Sequence, residues 1–299
     1  GGKVVLVMPA ESGAQHSWRF TDGGSPSTET SGTSNAPTIA FTTPSSSTPT
    51  ASSVGYTLGT RTLIFTVGAN DLAQATQHVF TITKVLTPSS IVGVNNVITT
   101  TQDAQDKSVD TTSSMATDQI VVGALSSATS ATATDTPGFE SLATVTFTTA
   151  GRVEVGGKVE LVLPDKASGG DAQQSTWECT DNAGVGSSGT ANVPAVAFTS
   201  PTTNAGASVT YVAADRKLTF AVQTAKMKQE EQVVFTITNV RTPSSVTASQ
   251  NVKGRTLDNK DKNVDGGASG SSLSTDVVAA GLLVGAPKFE TATDTPGFK

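Results

Sequence analysis

Apolar residues fall at every second position over short stretches of the chain. Val233, Phe235 and Ile237 alternate with Val234, Thr236 and Thr238, the period of two expected of a strand. Val145 and Phe147 set the same face within residues 144–149. Thr, Val, Ile and Phe dominate these runs, and they suit a pleated, half-buried surface. Residues 56–65 read as a hairpin turning at Gly59, and residues 209–222 as a second one turning at Ala213-Ala214-Asp215-Arg216. Clusters of Pro, Gly, Ser and Asn punctuate the strands. Helical patterning is weak: residues 71–77 and 225–232 predict a turn or two each. The expected fold class is all-β, built of antiparallel β-sandwiches, with a barrel as the lesser alternative.

The pattern occurs twice. Gly1-Gly2-Lys3-Val4-Val5-Leu6-Val7-Met8-Pro9 returns as Gly156-Gly157-Lys158-Val159-Glu160-Leu161-Val162-Leu163-Pro164, and Thr87-Pro88-Ser89-Ser90 returns as Thr242-Pro243-Ser244-Ser245. The offset is about 155 residues, and short insertions shift it locally, so that Trp18 matches Trp177 and Asp135-Thr136-Pro137-Gly138-Phe139 matches Asp294-Thr295-Pro296-Gly297-Phe298. Collinear blocks of this kind mark an internal duplication. The expected units are residues 1–140 and 141–299, joined near 125–142. Trp18 and Trp177 read as core anchors, one per unit. Cys179, at the position of Phe20, reads as a small buried thiol.

The two units differ at their start. Ahead of Gly156, residues 142–155 supply a good first strand with Val145, Phe147 and Val153 on it, and the first unit begins at Gly1. A sandwich short of a strand exposes a groove and unpaired backbone groups. Bacterial pilins fill such a groove with a strand from a neighbouring subunit. The expectation is that unit 1, at Val5 and Val7, is completed by a strand from elsewhere; the alternative is that upstream residues supply it.

Composition removes several classes of function. Charged residues are 15%, against about 25% in ordinary soluble proteins. The net charge of −6 and pI ≈ 4.9 argue against a nucleic-acid partner. One Cys and two His exclude a disulfide framework and a Cys/His zinc site. The apolar run of about 11 residues at 277–287 is shorter than the roughly 20 of a membrane-spanning helix. Gly1-Gly2-Lys3 leads directly into apolar residues, so no signal peptide is expected.

The duplicated acidic loop is the one metal candidate. Asp103, Asp106 and Asp110 match Asp258, Asp261 and Asp265 in spacing, and carboxylates can ligate Ca²⁺. The spacing is not that of an EF-hand and lysines are interspersed, so a solvated turn with local ion pairs is the competing reading. Gly184-Val185-Gly186-Ser187-Ser188-Gly189 fits GxGxxG but has no helix to follow it. His16 and His78 are replaced by Ser175 and Val233 in the second unit. Tandem catalytic domains would repeat their catalytic residues, so the chain reads as no enzyme and needs no cofactor. Lys3 with Asn96, and Lys158 with Asn251, offer a Lys–Asn isopeptide bond as a minor alternative. Ser and Thr make up about 27% of the chain. The stretch with Thr42, Thr43, Ser45, Ser46, Ser47 and Thr48 resembles O-glycosylated surface segments, and no Asn-x-Ser/Thr sequon is present.

Residues 144–149, followed by the block from Gly156 to Pro164, resemble repeats of large extracellular proteins: the tandem Ig-like β-sandwich modules of surface-layer, adhesin and pilus-like fibre proteins. That resemblance implies a structural or adhesive role at the cell surface or outside it. The expected function is a subunit of an extracellular filament, a homopolymer joined by strand donation or edge pairing, with glycans as a further partner. A monomeric adhesin or carbohydrate-binding module is the alternative.

Overall fold

The alternating runs become strands. The protein is described by a computed structural model covering residues 1–11, 13–20, 37–44, 48–165, 176–180 and 193–282. The first half contributes β1 (Lys3–Val7), β2 (Arg19–Phe20), β3 (Ile39–Thr43), β4 (Ala51–Thr57), β5 (Thr62–Val67), β6 (Val79–Ile82), β7 (Val85–Leu86), β8 (Asn96–Gln102) and β9 (Ser108–Ala116). The second half contributes β10 (Ser126–Thr132), β11 (Glu140–Thr148), β12 (Lys158–Val162), β13 (Glu178–Cys179), β14 (Val196–Ser200), β15 (Gly206–Val212), β16 (Lys217–Val222), β17 (Gln232–Arg241), β18 (Asn251–Leu257), β19 (Asn263–Asp265) and β20 (Ser271–Thr275). The one helical element among the described residues is a 3₁₀ turn, Ala213–Asp215. Residues 71–77 form a turn, and residues 225–232 hold bends, a turn, a bridge at Met227 and the start of β17 rather than helix, because neither stretch carries a sustained apolar period of 3.6.

In the first half, a sheet of order β4-β5-β1-β8-β9 is faced by the pairs β3–β6 and β2–β7. Phe41 of β3 and Phe80 of β6 meet Phe65 of β5, with ring centroids 6.0 and 5.4 Å apart. Val4, Leu6, Phe20 and Leu63 complete this core. In the second half, one 11-stranded sheet folds back on itself: β15-β16-β12-β18-β20 continues into β10-β11-β17, with β13 and β14 beyond. Phe147, Phe198, Phe220 and Phe235 interlock across this core at centroid distances of 5.1 to 6.0 Å. The two cores are separate clusters. Each hairpin closes on an arginine of positive φ, Arg61 (55°) and Arg216 (52°). Their Nε atoms donate to Met8 O at 3.1 Å and Leu163 O at 3.3 Å, which offsets the cost of that conformation.

Two features depart from the sequence reading. β10 pairs in parallel with β20 and antiparallel with β11, and Leu125 lies in the second core. The stretch read as a linker is therefore largely strand, and the sheets divide ahead of Ser126 rather than at residue 140. The isopeptide alternative fails on register. Lys3 pairs with Gln102 and Lys158 with Leu257, six residues from Asn96 and Asn251, or about 20 Å along a strand. Both lysines instead form ion pairs, with Asp106 and Asp261.

Candidate functional site

The halves differ most at one edge. In the second half, β17 is hydrogen-bonded on both sides, by β11 and by β13 and β14. Val145 and Phe147 of β11 are fully buried, and Val153, just beyond, bridges to Met227 in the same core. In the first half, the counterparts of β17 are β6 and β7, which pair with β3 and β2 on one side. Among the described residues no strand pairs with their other side. Val85 is accordingly 40% exposed where its counterpart Val240 is 2% exposed. β9 repeats the contrast. Val109 is 64% exposed, while Val264 is 7% exposed beneath the segment that leads into β10.

This geometry corrects the expected position of the added strand. β1 is hydrogen-bonded by β5 on one side and β8 on the other. Val4 and Leu6 point into the core, and Val5 and Val7 lie on the other, half-exposed face. β11 lies beside β17, not beside β12, so the open position in the first half is beside β6 and β7, not at Val5 and Val7. Alternation reveals which face of a strand is buried but not which strand lies next to it.

A second site is the junction between the halves. Arg19 Nη2 lies 3.2 Å from Glu154 Oε1, and Arg152 also pairs with Glu154. All three side chains are largely withdrawn from water. Burial, with Glu154 opposing, lowers the Arg19 pKa to about 10, so its charge persists at neutral pH. Gln15 N–H and Ser89 Oγ–H donate to Asp258 Oδ2 at 3.0 and 3.2 Å. Gln15 Nε2 donates to Val155 O, and Asn259 N–H donates to Gln15 Oε1. Burial alone would raise the Asp258 pKa, but backbone N–H donors from Lys262, Gln15 and Lys260 outweigh it and hold it low. A cavity of about 290 Å³ lies beside these groups, lined by His16, Arg19, Ser89, Gly151 and Glu154. Burial first, and Arg19 second, lower the His16 pKa to about 4.

The acidic loops send their carboxylates to separate partners. Asp103 Oδ1 accepts N–H bonds from Gln105 and Lys107, as Asp258 Oδ1 does from Lys260 and Lys262. Asp106 and Asp261 meet lysines. Asp110 accepts a bond from Thr101 Oγ1. Asp265 is fully buried and bonded by Gly151 N–H and Thr256 Oγ1–H; burial raises its pKa despite those donors. Among the described residues no group of three or more His, Cys, Asp or Glu side chains is arranged to hold a metal ion.

Of the glycan candidates, Thr42 is exposed on β3 with Oγ1 donating to Val79 O, Thr43 is half-buried, and Thr48 Oγ1 donates to Pro44 O. Ser45, Ser46 and Ser47 lie outside the described residues, as do the GxGxxG stretch and the second DTPGF block. Trp18, Trp177, Tyr56 and Tyr211 are all buried. The sequence pattern assigns no site role to Gln15, His16, Arg19, Ser89 or Glu154. The available signal was departure from the repeat: His16 is replaced by Ser175, Arg19 by Glu178, and Glu154 precedes any counterpart.

No protein-family model matches the chain, and no curated protein matches it. Among solved structures, the chain is similar to the type II cohesin dyad from the adaptor ScaA scaffoldin of Acetivibrio cellulolyticus. That match has 11% identity and TM-score 0.27, and covers 92% of this chain and 88% of that one. A second match is the C-terminal domain of the Streptococcus pyogenes antigen I/II-family protein AspA, with 9% identity, TM-score 0.28 and coverage of 92% and 84%. Scores this low carry no argument about function. The all-β class rests on the strands and sheets themselves. No helix among the described residues is long and apolar enough to cross a membrane.

Proposed function

We propose that the chain is a structural subunit of an extracellular filament or surface assembly. In this reading two tandem Ig-like β-sandwich units divide near residues 120–125, and copies of the chain join by strand donation or edge pairing. The observation that carries it is the open flank of the first half. Among the described residues no strand pairs with the outer sides of β6, β7 and β9, beside exposed Val79, Val85 and Val109, and the matching side of β17 is covered by β11. An unpaired edge of this kind templates addition of another strand. Its role is mechanical, with sandwiches in series and no catalytic step. The Ser- and Thr-rich faces, Thr42 among them, supply hydration and sites for O-linked sugar. Burial of all four Trp and Tyr side chains weighs against a sugar-binding platform built from these residues. Negative-stain microscopy of the purified chain at rising concentration is the test. Linear fibres are expected; dispersed particles at every concentration would end the assembly reading.

A further inference from the structure

The two halves present the same outer sheet face with different chemistry. In the first half β1 lies between β5 and β8. Val4 and Leu6 face the core, so Val5 and Val7 face outward. Ile64 is paired with Val5 and Ile98 with Val7, and these isoleucines are 38% and 44% exposed. The four side chains form one apolar stripe that runs diagonally across the three strands, bordered by Thr62, Thr66 and Thr100. Lys3 is the one charged residue of these strands, and it is paired with Asp106. Contiguous apolar surface of this kind marks a site of interaction.

The second half shows the same face built for water. The counterparts of Val5, Ile98, Thr62 and Thr100 are Glu160, Lys253, Lys217 and Arg255, in the same register on β12, β16 and β18. Glu160 bridges Arg255 at 2.7 Å and Lys217 at 3.8 Å, and Lys253 is exposed. The module therefore folds with charge at these positions, and its core does not need the apolar stripe of the first half. The exposure of that stripe is also independent of any residues ahead of β1. In the second half β10 and β11 precede β12, and they join the sheet beside β20 and β17, away from the outer face of β12.

We infer that the outer face of β5, β1 and β8 pairs with the same face of a second copy, sheet on sheet. The stripe reads alike from its two ends, Ile64–Val5 and Ile98–Val7, so a two-fold axis at its centre lays it along itself and brings Val5 and Val7 of both copies together. No like charges meet there, because Lys3 is already neutralised; the corresponding face of the second half would set cations against cations. A five-stranded face with strands about 4.8 Å apart and about 20 Å long covers about 1,000 Å² over two copies, the size of a weak, reversible contact. This contact goes beyond the edge pairing proposed above and uses none of the same strand edges. A short bismaleimide on the full chain tests it, the native Cys179 being buried. Val7→Cys is compared with Val162→Cys, its half-exposed counterpart. Val7→Cys is expected to cross-link into dimers about tenfold faster, the value of one buried aliphatic side chain. Adding Val5→Glu and Ile98→Lys to Val7→Cys gives the face the residues that the second half carries, and circular dichroism checks the fold. The rate is then expected to fall to that of Val162→Cys. Equal rates at Val7→Cys and Val162→Cys would overturn the contact, as would a rate at Val7→Cys that the two charges leave unchanged. Fibres formed through β6, β7 and β9 are indifferent to either result.

Discussion

Arg19 and Glu154 join the two halves of the chain, with guanidinium nitrogen and carboxylate oxygen 3.2 Å apart and little water at either. Glu154 also pairs with Arg152, so removing it takes away the anion that two cations share, and removing Arg19 leaves Glu154 paired with Arg152. Breaking a buried pair from the side that leaves charge uncompensated costs about 3–5 kcal/mol. Glu154→Gln is therefore expected to lower unfolding free energy by about 3 kcal/mol and Arg19→Met by clearly less, measured by urea denaturation. Equal losses would show that the three side chains are not coupled as described.

His16 makes the junction sensitive to acid. Its folded pKa of about 4 lies below the ordinary imidazole value of 6.5. The unfolded chain therefore takes up a proton first as pH falls, and the stability held by neutral His16 is complete above about 6.5 and is lost progressively down to about 4. Arg19 and Arg152 oppose its protonation, and Glu154 and Asp258 favour it. His16→Asn is expected to flatten the fall in melting temperature between pH 6.5 and 4. A slope unchanged from wild type would remove His16 as its source.

Phe235 and Phe80 occupy matched positions with different surroundings. Phe235 is fully buried and meets Phe147 of β11. Phe80 is half-exposed beside an edge at which no such strand lies among the described residues. Phe235→Ala is expected to cost about 3–5 kcal/mol, and Phe80→Ala distinctly less in dilute solution. A synthetic peptide of residues 140–150 should raise the melting temperature of the wild-type chain by seating beside β6, while a peptide with Phe147→Asp should not.

Cys179 is expected to be inert. It is buried, and burial pushes its thiol pKa up to about 12, so almost no thiolate exists near neutrality. Labelling with a thiol reagent at pH 7.5 should proceed only as denaturant unfolds the second core. Rapid labelling of the native chain would contradict its placement.

Much of the architecture can be read from residue pattern. Alternation at Val145, Phe147, Phe235 and Ile237 identifies buried faces correctly, and the duplicated hairpins turn where their sequence suggests. The neighbour of each strand is not encoded locally: residues 142–155 read as a good strand, but only long-range pairing places it beside β17. Asp103 and Asp258 show a second limit. Their loops share the same spacing of Asp, Asp, Lys, Val and Asp, and docking of the other half buries only one of them. The junction residues lie where the repeat breaks, at His16, Arg19 and Glu154, so a comparison that looks only for what is repeated passes over them.

The central claim is that the flank of the first half formed by β6, β7 and β9 is paired only in the assembled state. Amide hydrogen exchange on dilute chain and on assembled material tests it directly. The account predicts fast exchange at residues 79–86 and 108–116 in dilute chain and strong protection on assembly, with residues 232–241 protected throughout. Fibres in which residues 79–86 and 108–116 exchange as fast as in dilute chain would contradict it.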